Sequence, residues 1–125
     1  MQIPSISGSL RAASTHTTLL KAAAALVPEH VTLNLYLGSA ISRQCNPDVD
    51  KDPPHAAVAD FRSQLRRSAG VIFSTPEYAH GVPGVLKNAL DWVVASGELY
   101  SQAGCAIQSL AACRRSTRSW NPHRV

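Results

Sequence analysis

The chain has 125 residues, 45% of them apolar and 16% charged, values of a globular domain rather than a disordered or fibrous one. One domain of this length buries roughly two-thirds of the surface its unfolded chain exposes. The formal charge of +4 sits entirely at one end: residues 1–100 carry eight basic and eight acidic side chains, whereas 101–125 carry Arg114, Arg115, Arg118 and Arg124 and no acid. A short arginine-bearing end is the pattern of a solvated tail, not of a basic stripe that follows a phosphate backbone, so no nucleic-acid partner is expected.

No apolar run approaches the roughly 20 residues that cross a bilayer. The segment "MQIPSISGSL" has neither the charged start nor the apolar stretch of a signal peptide, so no membrane partner and a cytoplasmic location are expected. Cys45, Cys105 and Cys113 are an odd and widely spaced set, which fits free thiols in a reducing compartment. Together with His123 they offer no tight ligand pair, so no metal is expected.

In chain order, "IPSIS" (3–7) reads as a first strand that ends in a Gly-Ser turn. A helix is predicted over Thr15–Val27, stopped by Pro28. "VTLNLYL" (31–37) alternates Val31, Leu33, Leu35 and Leu37 on one face, a half-buried strand near an edge. The proline-rich stretch 46–55 is a loop. The helix after it places Val58, Phe61 and Leu65 inward, with Arg62, Arg66 and Arg67 turned to water. "GVIFST" (70–75) is a continuous apolar run expected of a strand covered on both faces. A helix over Val85–Ser96 follows, with Pro83 near its first turn, Gly97 near its end, and Leu86, Ala89, Leu90, Val93 and Val94 along one side. The order βαβαβα implies a doubly wound α/β fold, a parallel sheet between two helical layers. "CAIQSLAAC" (105–113) offers a weak fourth strand or a helical turn.

In such sheets ligands bind beyond the carboxyl ends of the strands, where strand order reverses. Two loops qualify. In "SGSLRAASTHT" (7–17), the hydroxyls of Ser9, Ser14, Thr15 and Thr17, with Arg11 and the free amides of a helix N-terminus, compose an anion cradle. The same residues are equally compatible with a helix cap and a solvated arginine. The loop is neither G-x-G-x-x-G nor G-x-x-x-x-G-K-[ST], so a single terminal phosphate suits it better than a dinucleotide or a triphosphate. It also lacks the cysteine nucleophile a phosphoester hydrolase would need there. In "TPEYAHGVPGVLKNALDW" (75–92), Pro76 through Gly81 present backbone amides and carbonyls along an edge, with Tyr78 as a flat surface. A planar heterocycle fits that edge; so does a stiff connection with Tyr78 packed on its own domain.

"SGSLRAAST" followed by "PEYAHGVPGVLKNALDW" closely resembles the NADPH-dependent FMN reductase family, over about residues 1–100. The family has a flavodoxin-like fold and includes quinone, chromate and azo-dye reductases. The resemblance implies that Ser9, Arg11, Ser14, Thr15, His16 and Thr17 hold the flavin phosphate. It implies that Pro76, Glu77, Tyr78, Ala79, His80 and Gly81 meet the isoalloxazine. It further implies FMN as cofactor, NADPH or NADH as co-substrate, and a small-molecule electron acceptor such as a quinone or free flavin. Since the flavin carries the reactive chemistry, no catalytic side chain is expected. Pro4 falls inside the first strand, and His16 and Ala79 stand where many relatives carry Asn. After "SGELY" the chain departs from the family's pattern: residues 101–125 read as an atypical basic tail after a domain of residues 1–100. The last strand and helices are then missing, as in a truncated or frame-altered member. Such a loss uncovers sheet that must be solvated, self-associated or covered by a partner; the resemblance implies a homodimer or homotetramer, and the alternative to an enzyme is a non-catalytic member with weak or no FMN binding.

Overall fold

The computed structural model describes residues 1–36, 43–94, 96–100 and 103–108, the last of these for the backbone alone. Strand β1 is Gln2–Ser7, helix α1 Thr15–Ala24 and strand β2 Thr32–Tyr36. Helix α2 is Ala56–Arg66, strand β3 Gly70–Thr75, helix α3 Gly84–Val94 and strand β4 Ala103–Gln108. The strands lie in the order β2-β1-β3-β4, and every neighbouring pair is parallel. This is the flavodoxin-like arrangement, in which the chain leaves β1 for one side of the sheet and later returns to the other. The arginines and cysteine expected in a basic tail, and His123, lie outside the described residues, as does Leu37.

The core lies between the sheet and the α2/α3 layer. Ile6, Val71 and Phe73 from the strands meet Phe61 and Leu65 from α2 and Leu86, Ala89 and Val93 from α3. Each of the larger apolar side chains contributes about 1.5–3 kcal/mol by leaving water. Tyr36 closes the β2 end, stacked on Phe61 with ring centroids 5.1 Å apart. Burial, reinforced by the Asp60 carboxylate, pushes its phenol up to about 12. β2 is an edge strand with Leu33 and Leu35 half-buried, as its alternation implies.

Pro4 is accommodated by register. Gly8 donates its amide to Ser74 O, and Gln2 O accepts from Ala69 N, so the even residues of β1 turn their backbone groups toward β3. The missing donor of Pro4 therefore faces β3, and the β1–β3 ladder begins one residue later, at Ser5 opposite Ile72. α1 stops at Ala24, three residues short of the predicted Val27. Its last amides shift to tighter bonds, Ala25 N to Ala22 O and Leu26 N to Ala23 O, and Pro28 disfavours helical backbone just before it.

Two predicted helix faces need correction. Arg62 is not turned to water. Its Nε and Nη2 donate to Trp92 O at 3.0 and 2.6 Å, and its two terminal nitrogens bind both oxygens of Asp50 at 3.1 and 2.7 Å. Helical spacing alone placed it on the outer face; a carbonyl exposed near the end of α3 and an aspartate on the 46–55 loop draw it in. On α3, Val94 is 63% exposed and Trp92 is 2% exposed. Trp92 is covered because its indole N–H donates to Arg43 O at 2.8 Å, bringing the loop before Asp50 across the helix.

Candidate functional site

Strand order reverses between β1 and β3, and the loops that leave their carboxyl ends are the two singled out in the sequence. They are joined at their roots. Gly8 donates to Ser74 O at 2.8 Å. A Cβ on Gly8 would lie 2.3 Å from Thr75 Oγ1 and 2.8 Å from Thr75 Cβ. Glycine is required here by the close approach of Thr75, not by an unusual φ.

Around this junction the hydroxyls form a local net. Ser7 Oγ donates to Ser9 O and accepts from Ser9 N, both at 3.3 Å, and accepts from Thr17 Oγ1 at 3.1 Å. Ser14, buried, caps α1: its Oγ accepts from Thr17 N at 3.4 Å. The amides of Thr15 and His16 have no acceptor among the described residues and stand at the positive end of α1. Arg11 and Thr15 are exposed beside them. A cap, a free arginine and unspent amides fit a single phosphate ester, which needs several donors from one side.

His16 takes another course. It is 6% exposed, and its Nδ1 lies 3.0 Å from Oγ of the fully buried Ser74. Burial holds its ring below the usual histidine range. The ring thus ties the first turn of α1 to the end of β3.

The second loop is a narrow ribbon. Tyr78 and Gly81 exchange both backbone hydrogen bonds at 2.9 Å. Ala79 and His80 turn between them with φ of +50° and +62°. Two consecutive positive φ values make a type I′ turn, a conformation Asn and Gly adopt readily and Ala resists. The turn holds Tyr78 outward, 58% exposed. His80 Nδ1 stands 3.6 Å from Glu77 Oε1 at the surface, and Thr75 Oγ1 donates to Pro76 O at 3.0 Å. Pro83 follows, buried, and its carbonyl accepts from Leu86 N and Lys87 N, so α3 starts directly from this loop.

The structure therefore links Ser9, through its backbone, and Thr17, through its hydroxyl, to Ser7 Oγ, with Ser14 Oγ capping Thr17 N; it leaves Arg11 and Thr15 exposed and buries His16 against Ser74. Pro76 through Gly81 form the facing ribbon. Ser7, Gly8, Ser74 and Thr75, which join the two loops, were not among the expected residues. Their signal was a serine near the end of each strand, at positions that fall opposite one another, Ser7 against Ser74. A hollow of about 560 Å³ lined by Arg43, Gln44, Cys45, Asn46, Pro47 and Val49 contains none of these residues. No cluster of metal-ligating side chains occurs among the described residues.

Residues 1–120 match the family described as NADPH-dependent FMN reductase, a match that runs past residue 100, where the motifs alone placed its limit. An NAD(P)H-dependent FMN reductase of Pseudomonas aeruginosa is 37% identical over 118 residues, 94% of this chain and 63% of that protein. An NADPH:quinone oxidoreductase of Arabidopsis thaliana is 33% identical over 112 residues, 87% of this chain and 57% of that protein. The chain thus spans about three-fifths of the length of these relatives. Among solved structures, FerB of Paracoccus denitrificans, a flavoenzyme NAD(P)H:(acceptor) oxidoreductase, superposes with a TM-score of 0.75 at 26% identity, over 86% of this chain and 59% of that one. The parallel sheet, the paired loops at its switch point and the match over nearly the whole length agree: the chain belongs to the NADPH-dependent FMN reductase family.

Proposed function

We propose that the chain binds FMN across the two loops and passes electrons from NADPH or NADH to a small acceptor, a quinone or free flavin. The observation that carries this reading is the locked junction of Gly8 with Ser74 and Thr75, which holds a phosphate-type cradle and a flat, outward tyrosine ribbon at a fixed separation. Arg11 and the amides of Thr15 and His16 receive the phosphate, and Ser9, Ser14 and Thr17 orient them. The backbone of Pro76–Gly81 borders the ring system, with Tyr78 against its face. FMN, when bound, supplies a two-electron carrier between the nicotinamide and the acceptor. The protein's share is to hold that carrier, shield one face and leave the other open to reactants taken in turn.

No helix among the described residues is long and apolar enough to cross a membrane; cytoplasmic residence is part of the proposal, as is a homodimer or homotetramer. A second reading is a family member that binds FMN weakly or not at all and does not turn over. Titration with FMN, followed by quenching of flavin fluorescence, then NADPH under anaerobic conditions, separates the two. Binding at micromolar or tighter Kd (about −8 kcal/mol) with bleaching of the flavin band establishes the reductase. Folded protein that leaves FMN free establishes the second reading.

A further inference from the structure

A helix usually covers a sheet with apolar side chains, but α1 lies on a polar strip. Ser5, Ser7 and Ser74 share the face of the sheet that meets α1, all buried, and the α1 residues that descend onto the sheet are His16 and Leu20. His16 belongs to the first turn of α1, two residues after the cap Ser14. Its ring is held by one partner, Ser74 Oγ at 3.0 Å.

A serine hydroxyl both donates and accepts. When His16 is neutral with its proton on Nε2, Nδ1 accepts from Ser74; when the ring gains a proton, Nδ1 donates to the same oxygen as the hydroxyl turns. The contact therefore survives a change of charge. What opposes that charge is burial together with the positive end of α1. Among the described residues no fixed charge offsets them: β1 presents Ser5 and Ser7, β3 presents Ile72 and Ser74, α1 presents Leu20 and Thr17, and none of these titrates near neutrality. Arg11, on the connecting loop, is exposed.

We propose that His16 is the charge-responsive residue of the cradle, neutral on Ser74 while the end of α1 stands alone, and protonated, still on Ser74, when a dianionic phosphate ester sits on the free amides of that helix. This rests on the reading of the first loop as a phosphate site. The proton comes from solvent and forms one N–H bond; nothing else is transferred. His16 is a positioning residue in this scheme: it ties α1 to β3 in both states and adds a buried countercharge only for a ligand that carries charge. Within the first helical turn, two negative charges lie within about 8 Å of the ring, close enough to move its titration upward by about one pH unit or more. FMN is thereby favoured over riboflavin, increasingly so in mild acid.

The test is ring NMR of the whole chain, titrated free, saturated with FMN and saturated with riboflavin, with the His16 signals assigned by contact with Ser74 and by their loss in His16→Asn. The expected result is an upward shift of about one pH unit or more with FMN and none with riboflavin. Calorimetry in buffers of different ionisation enthalpy gives a second readout. Net proton uptake on FMN binding should be smaller in His16→Asn, since any proton change at the phosphate itself is common to both proteins. Saturation by FMN with an unmoved His16 titration overturns the proposal while leaving the flavin site intact. Failure of folded protein to bind FMN at all overturns the phosphate reading and this proposal with it.

Discussion

Replacing Gly8 with alanine should separate the two loops. The new methyl would meet Thr75 Oγ1 at 2.3 Å, Thr75 Cβ at 2.8 Å and Thr75 Cα at 3.3 Å. Rotation of the threonine relieves only the first contact; the other two belong to atoms fixed by the β3 backbone. β1 and β3 must move apart at their carboxyl ends. Overpacking of this kind costs about 1–3 kcal/mol, and stretching the 2.8 Å bond from Gly8 N to Ser74 O adds about 0.5–1.5 kcal/mol. A loss of about 3 kcal/mol is a large part of the 5–15 kcal/mol that stabilises an ordinary domain. Urea unfolding at fixed pH measures it as a lower midpoint at unchanged slope. Thr75→Gly removes the side chain that clashes, so Gly8→Ala should cost about 1 kcal/mol or less in that background, and the double-mutant cycle should show a coupling of about 1–3 kcal/mol. Additive effects, or a Gly8→Ala variant as stable as the parent, would refute the argument that this glycine is required by a close approach to Thr75.

Other substitutions probe separate links. Ser5 Oγ is buried without a partner among the described residues, so Ser5→Ala should stabilise the chain by about 1 kcal/mol; a comparable loss in thermal unfolding would mean that the hydroxyl is bonded. Ala79→Asn should relieve the cost of alanine at φ +50°, gaining about 0.5–1 kcal/mol, with unchanged stability as the contrary result. Arg62→Ala leaves Asp50 and the Trp92 carbonyl without their shared donor and should cost about 3 kcal/mol; a cost near zero in urea unfolding would place Arg62 in solvent after all. Burial holds His16 below its ordinary 6.5, so the unfolded chain binds a proton there first. Stability is full above about pH 6.5 and declines as pH falls below it. Flavin-free protein measured from pH 7.5 downward should show that slope, and His16→Asn should flatten it.

Much of the fold was legible because its elements obey simple periods. The apolar run of β3 and the alternation of β2 identified a central and an edge strand, and Pro83 marked the start of α3 closely, whereas Pro28 put the end of α1 three residues late. Arg62 was misplaced and the burial of Trp92 went unread for one shared reason. Helical spacing describes a residue's own element, while their burial comes from a loop, residues 43–50, that arrives from elsewhere in the chain. The two loops at the switch point were found through dense Ser/Thr and Pro/Gly signals, yet Gly8, Ser74 and Thr75 were missed. Their role exists only where two strands distant in sequence pair, and a single strand carries no mark of its partner.

The hold of α3 on the loop before Asp50 has a consequence for how this chain tolerates change. Asn88 donates to Arg43 O at 2.6 Å and accepts from Cys45 N at 2.7 Å, while Trp92 donates to the same carbonyl at 2.8 Å. All three bonds address main-chain atoms. The helix thus recognises the path of residues 43–45 and is indifferent to their identity, so substitutions at Arg43 or Cys45 are free to accumulate as long as that path is kept. Asn88 and Trp92 have no such latitude. Diversity in a randomised library should therefore gather on the loop and vanish from the helix, the reverse of what exposure along a single helix would suggest.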